Sequence, residues 1–223
     1  MVSQTLQFFK SSDFNRDDEN TDEQFYAKPR LVTHLDSLAL NTVEEIYFRL
    51  IPKYSNILDL MAGPDSHIKD DVAPLSITGL GLNQKELEAN HKLDKRVIHD
   101  LNLDWRLPFE NNWFDAVINT VSVDYLTRPI DVFSEVHRVL KPRGIFVIVF
   151  SNRMFPTKAV NIWKRTPEKD KIDLVKKFMS LSGKFQIQGY SESKGRPRPK
   201  DDKYSKYGIP SDPIYAVWSS PVK

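Results

Sequence analysis

Apolar and polar positions change period several times along the 223 residues, and each change marks an element. From Leu31 to Leu50, Leu31, Leu35, Leu38, Ile46 and Leu50 recur at spacings of three, four and eight, with Val43 and Tyr47 beside them. That spacing predicts a helix with one buried face, ended by Pro52. Asn56 to Met61 is a short apolar run breaking into Ala62-Gly63-Pro64, the pattern of a buried strand that ends in a turn. Leu75 to Leu80 predicts a second strand, closed by Gly81, after which Asn83 and Glu86 form a capping pair opening a helix to about Leu93. Lys95 to Leu101, Phe114 to Val121 and Gly144 to Phe150 read as further strands. Ile130 to Leu140 is a helix between the last two, stopped by Lys141 to Gly144 with a positive charge and a glycine. Helices are expected over Thr157 to Trp163 and over Glu168 to Ser182 with Gly183 as cap, and final strands over Phe185 to Tyr190 and Ile214 to Ser219.

Strands alternating with helices imply right-handed crossovers and a doubly wound, mostly parallel sheet covered on both faces, an α/β fold of Rossmann-like type. The segment 13–24 carries six acidic residues against Arg16 and has Phe14 as its one large apolar residue. It reads as a mobile or surface-draped lead-in (1–24) to a single domain over 25–223. No repeat is evident.

Composition narrows the function classes. With no cysteine there are no disulfides, thiolate metal sites or cysteine nucleophile. Net charge is +2, so nothing global selects nucleic acid or an anionic membrane. The longest apolar run, Ile145 to Phe150, is too short to span a bilayer, and no basic segment followed by an apolar stretch marks an N-terminal signal; a cytoplasmic or other soluble intracellular compartment is expected.

In an open parallel sheet, ligands bind beyond the carboxyl ends of the strands, where strand order reverses. The first exit, Asp59 to Asp65, sets a carboxylate on the strand and a glycine in the turn; a single glycine does not make a dinucleotide fingerprint. Asp59 either lines a ligand site or merely caps the turn that follows, and Asp100, in His99-Asp100-Leu101-Asn102, either accepts from an exocyclic amine or is simply a solvated turn carboxylate.

Ile57-Leu58-Asp59-Leu60, Asp100, Leu107-Pro108-Phe109, Phe114-Asp115-Ala116-Val117 and Glu135 to Gly144, in this order and spacing, resemble the class I S-adenosylmethionine-dependent methyltransferases of the "type 11" group. A closer likeness, to a subgroup of plants, algae and cyanobacteria, is carried by Phe25-Tyr26, Pro29-Arg30, His34, Asp59-Leu60-Met61 and Ser151 to Pro156. The resemblance implies a seven-stranded sheet, S-adenosylmethionine as cofactor and a small-molecule methyl acceptor. It implies that Asp59, Met61, Ala62 and Gly63 line the methionine end of the cofactor, that Asp100 and Leu101 hold the adenine, and that Asn119, Thr120 and Val121 lie under the sulfonium. Arg30 is a candidate for the cofactor carboxylate. Asp124, Tyr125 and His34 are candidates for the acceptor side, with packing as the alternative for each. His67 has no partner at metal spacing, so no metal is expected. The basic stretch Lys194 to Lys206 either grips an anionic substrate or is a solvated loop.

Two departures from the family pattern stand out. Of its glycine-rich D-x-G-x-G-x-G turn only Gly63 is kept, Met61 and Asp65 standing at the first and third glycine positions. Where the family closes its second strand with an acid for the ribose hydroxyls, Gly81-Leu82-Asn83 follows, leaving Asn83 as the possible replacement. A non-catalytic binding or scaffold protein on the same sheet is the alternative these departures leave open.

Overall fold

The computed structural model describes residues 8–222. Seven strands form one sheet in the order β3-β2-β1-β4-β5-β7-β6: β1 Asn56–Leu60, β2 Ser76–Gly81, β3 Lys95–Ile98, β4 Phe114–Thr120, β5 Leu140–Phe150, β6 Phe185–Ser193 and β7 Ile214–Pro221. β1 to β5 are parallel, while β7 runs antiparallel between β5 and β6. The α-helices are α1 Asp22–Tyr26, α2 Ser37–Leu50, α3 Gln84–Ala89, α4 Pro129–Val139, α5 Asn161–Arg165 and α6 Lys171–Leu181. This is the expected doubly wound α/β sheet.

Alternation along each strand divides the core in two. Leu58, Val117, Phe146, Ile148 and Phe150 pack with α4 and α6, whereas Ile57, Ile118, Val147 and Val149 pack with Val43, Ile46 and Tyr47 of α2. Both faces are closed, as a parallel sheet requires, and strand order reverses between β1 and β4.

Several elements differ from the sequence reading, among them β3, which stops at Ile98 rather than Leu101, and β6, which runs on to Ser193. α2 starts at Ser37, not Leu31, because the Asp36 carboxylate caps it, accepting from the Leu38 and Ala39 amides at 3.0 and 3.1 Å, while Leu31 and Val32 are exposed. α3 ends at Ala89, well short of Leu93. The first helix after β5 starts at Asn161 rather than Thr157. α4 ends at Val139 and β5 begins at once with a bulge, Phe114 facing Leu140 and then Ala116 facing Ile145. Gly144 is therefore a strand residue rather than a helix cap. A Cβ there would sit 2.8 Å from Leu140 Cδ2 and 3.1 Å from the Asp115 carbonyl. Gly183 does cap α6, with φ at +66°.

The acidic segment is draped over the domain. Phe9 and Phe14 pack on Phe178, Arg16 holds Asp22 at 2.7 Å, and Asp13 pairs with Arg165. Lys158, fully buried, donates to the Asn20 carbonyl at 2.6 Å and lies 3.1 Å from Asp22 and 3.3 Å from Asp18.

Candidate active site

The carboxyl ends of β1, β2 and β4 open into a cavity of about 1090 Å³ at the point where strand order reverses. Its walls bring together parts of the chain far apart in sequence: the β1 exit (Asp59 to Asp65), the β2 exit (Gly81 to Asn83), His99 to Asn102, Thr120 to Ser122 beyond β4, and residues 31–37 leading into α2. Arg153 to Phe155 after β5 and Arg198 to Tyr204 between β6 and β7 complete it. The stretch that sequence left between a substrate grip and a solvated loop is thus a cavity wall in its middle part.

Asp59 stands on β1 with 2% exposure and no hydrogen-bond partner on Oδ2; burial pushes its carboxyl up to about 7, against the pull of Ser66 and His67. A buried acceptor without a donor is rare and calls for a proton or a cationic group. Beyond it, Met61 has φ +62°, and at the end of β4 Val121 has φ +49°. Left-handed backbone is costly for any side chain and most of all for a β-branched one, so both strand exits of the switch point carry strain. Gly63 needs no such freedom, but nothing lies within 4 Å of where its Cβ would be, so its backbone faces open space.

Asp100 lines the cavity, and its Oδ1 accepts from the Asn102 and Leu103 amides at 2.8 and 3.3 Å. The carboxylate thus caps its turn while facing the cavity. Leu101, Leu82, Thr120, Tyr125 and His34 also line it. The Tyr125 hydroxyl accepts from the Phe155 amide at 2.8 Å, and burial holds His34 below the usual imidazole range.

Three residues expected at the site are not on the cavity wall. Asn119 is buried beneath it, donating to the Leu60 carbonyl and Ser122 Oγ at 3.0 Å each. Asp124 is turned into the core, where burial raises its carboxyl to about 7 against the attraction of Lys171. Arg30 turns away from the cavity: its guanidinium lies 4.5, 5.2 and 5.0 Å from the rings of Phe25, Tyr26 and Phe155 and donates to the Phe25 carbonyl. It braces an aromatic wall from behind.

The departure at the end of β2 has a steric explanation. Ala62 N–H donates to the Leu80 carbonyl at 2.8 Å, drawing the β1 exit across β2, and a Cβ at Gly81 would meet the Ala62 carbonyl at 2.5 Å. No acid fits there. Nor is Asn83 free to replace it: Oδ1 accepts from the Glu86 amide at 3.1 Å, and Nδ2 donates to the Tyr26 and Ala27 carbonyls at 2.7 and 3.3 Å. Among the described residues no three His, Asp or Glu side chains are grouped to hold a metal ion.

Residues 62–148 match the model of a methyltransferase domain. A search of curated proteins finds no match. A protein from Pyrococcus horikoshii superposes with a TM-score of 0.59 at 16% identity, covering 89% of this chain and 99% of its own. The fold is that of a methyltransferase. An S-adenosylmethionine dependent methyltransferase from Mesorhizobium loti shares the methyltransferase fold at TM-score 0.55 and 16% identity, over 81% of this chain and 99% of that one. So does the [4+2]-cyclase SpnF, at 0.55 and 15%, over 90% and 92%. At these identities the likeness is one of fold, and the cyclase shows that a methyltransferase fold does not dictate a single reaction.

Sequence reasoning missed Glu86, read only as a cap partner. Its carboxylate does not return to the cap but enters the cavity wall, Oε1 accepting from the Arg30 amide at 2.6 Å. The signal was its place in the first turn after β2. It also missed the Asp36, Arg198 and Asp212 cluster, in which Arg198 lies 2.6 Å from Asp212 and 3.4 Å from Asp36, all three buried.

Proposed function

We propose that the protein transfers a methyl group from S-adenosylmethionine to a small molecule. The observation that carries this is the cavity at the β1/β4 switch point, where ligands of open α/β sheets bind. It exceeds the roughly 300 to 1,000 Å³ typical of one small-molecule site, leaving room for an acceptor beside a nucleoside. The residues fit this cofactor: the donor-less Asp59 Oδ2 suits an ammonium group, the open backbone at Gly63 allows close approach, and Asp100 with Leu101 suits an amino-purine. When bound, the cofactor would supply an activated methyl on a sulfonium.

The chain's part is alignment and exclusion of water. Thr120 and Val121 floor the site below the reacting end, and the Val121 strain fixes that floor in one conformation. Tyr26, Tyr125, Phe155 and His34 form the acceptor wall, an aromatic face in which the His34 ring stands edge-on to Phe155 at 5.4 Å and the Tyr125 ring lies tilted to it at 6.0 Å. Burial, with Arg30 and Arg153 nearby, favours the neutral form of His34, the form of imidazole that takes a proton from an oxygen or nitrogen acceptor. Phe25, Tyr26, Arg30 and His34 close around Phe155, more than a hundred positions away in sequence, and these residues carry the resemblance to the plant, algal and cyanobacterial subgroup, so the cluster supports membership of that subgroup.

Thermal unfolding with S-adenosylmethionine, S-adenosylhomocysteine, NAD and ATP tests the cofactor. A ligand at about a hundred times its dissociation constant adds about 2.7 kcal/mol, which raises Tm by roughly 5 to 10 °C. A rise with the first two alone supports the reading and leads to an acceptor screen with methyl-labelled cofactor. No rise at millimolar ligand removes it in favour of a non-catalytic scaffold.

A further inference from the structure

We infer that Asn90 is a positioning residue of the β1 exit: where the turn keeps only Gly63 of the family's glycines, its side-chain amide braces residues 63–66 and leaves the Ser66 hydroxyl to donate toward Asp59. The consequence for ligand affinity rests on the adenosyl reading of the cavity; the consequence for Asp59 itself does not.

The turn after β1 is left-handed at Met61 and again at His67, with φ +62° and +54°, and neither is a glycine. Residues with side chains stay in that region only where their surroundings hold them. Between the two bends the hold comes from Asn90, 1% exposed, whose Nδ2 donates to the Gly63 carbonyl at 3.0 Å and to Ser66 Oγ at 2.9 Å. Asn90 is itself fixed. Its backbone amide donates to the Glu86 carbonyl in α3, its Oδ1 accepts from the Lys92 amide at 3.1 Å, and its carbonyl accepts from the Arg96 guanidinium of β3 at 3.2 Å. One side chain thus ties the β1 exit to α3 and β3.

The direction of these hydrogen bonds decides what Ser66 does. Both Nδ2 protons point into the turn, so Ser66 Oγ receives one and its own proton is left for another acceptor. Ser66 is fully buried, and Asp59 is the acid it acts on: burial raises the Asp59 carboxyl, Ser66 and His67 draw it down, and Asp65 opposes them. From α2 Tyr47 faces Asp59, its hydroxyl bonded to Thr120 Oγ1 at 2.6 Å; in the sheet Asp59 stands between Gly79 and Ile118, which do not titrate. Asn90 therefore acts on Asp59 at one remove, through Ser66, and Asp59 Oδ2 keeps no donor.

The test follows the Asp59 carboxyl of the free protein by carbon-13 NMR of the aspartate-labelled chain, assigned with Asp59→Asn, in the natural chain, Ser66→Ala, Asn90→Ala and the double variant. Ser66→Ala removes a donor to the charged form, so Asp59 should titrate at higher pH, and Asn90→Ala should move it the same way. The double variant should move it no further than Ser66→Ala does. In the natural chain the Asn90 side-chain amide signals should shift with the Asp59 midpoint. Calorimetry with S-adenosylhomocysteine should show Asn90→Ala weaker by about three- to tenfold at pH 7, where more of its Asp59 is protonated, with the two affinities converging toward about pH 9. An unmoved Asp59 in Ser66→Ala or in Asn90→Ala, or an equal loss of affinity at every pH, overturns the assignment and makes Asn90 a brace of the fold alone. Amide signals that stay flat overturn it even where Asn90→Ala does not fold. Failure of the natural chain to bind S-adenosylhomocysteine removes the adenosyl reading and leaves the Asp59 titrations to decide the role of Asn90.

Discussion

The carbonyl of Ala62 and the α-carbon of Gly81 are held so close that a methyl group on Gly81 would lie 2.5 Å from the carbonyl oxygen. The obstacle is backbone, fixed by the hydrogen bond from Ala62 to Leu80, so it does not yield as the end of a side chain would. Gly81→Ala should therefore cost about 1 to 3 kcal/mol, seen as a fall of several degrees in Tm, and Gly81→Glu should lose ligand affinity rather than gain a ribose contact. Unchanged melting of Gly81→Ala would mean that the two exits are free to part.

Asp59 and Asp124 are both buried acids raised to about 7 by desolvation. An unfolded carboxylate titrates near 4, so between about pH 4 and 7 the native state keeps protons that the unfolded chain has lost, and stability falls as pH rises through that window. Asp59→Asn and Asp124→Asn should each stabilise the free protein at pH 8, by an amount that shrinks toward pH 4. They part on ligand binding: Asp59→Asn should weaken S-adenosylhomocysteine about tenfold, while Asp124→Asn, off the cavity wall, should leave it unaltered. Denaturant titrations at several pH values and calorimetry check both halves.

Lys158 is the anchor of the draped segment, fully buried between two carboxylates and two carbonyls. Lys158→Met keeps the apolar stem and removes the charge; leaving Asp22 short of one cation should cost about 3 kcal/mol or more. Limited proteolysis should then cut within residues 15–24 well before the rest of the chain. A variant as resistant as the natural protein would show that the Arg16, Lys164 and Arg165 pairs hold the segment unaided.

Arg198 neutralises Asp36 and Asp212, which bind one another's backbone amides, Asp212 N–H to Asp36 at 2.6 Å and Asp36 N–H to Asp212 at 2.9 Å. Arg198→Leu leaves Asp36 without a cation and Asp212 with Arg153 alone, at 3.3 Å, and should lose about 3 kcal/mol; adding Asp212→Asn should recover part of that. Strict additivity in this cycle, measured by chemical denaturation, would deny the coupling.

How far the sequence reveals this molecule depends on how local each cause is. The strands were legible because a buried parallel strand must be apolar on both faces, and Ile57-Leu58 and Phe146 to Phe150 are. Leu31 misled because it fits the helical period, although the chain turns only at the Asp36 cap and leaves it exposed. The acids of residues 13–22 look solvated until the fold delivers Lys158, Lys164 and Arg165 from some 140 positions away. Asp59 and Asp100 could be placed at the cavity because strand ends converge by topology; the turning of Asp124 and Arg30 away from it depends on packing among distant aromatic groups.

The position of β7 carries a consequence for the order of assembly. The last of these seven strands in chain order, β7, lies between β5 and β6, not at a margin of the sheet. Until Ile214–Pro221 is available, β6 has no neighbour to pair with and β5 keeps an open edge, while the stretch 198–204 has no second anchor to hold it over the cavity. The nascent chain therefore passes through a stage with unpaired strand edges, the stage at which intermolecular pairing competes with folding. The cavity is completed by the same event that ends that exposure, so its closure and the burial of the sheet's open edges come in a single step.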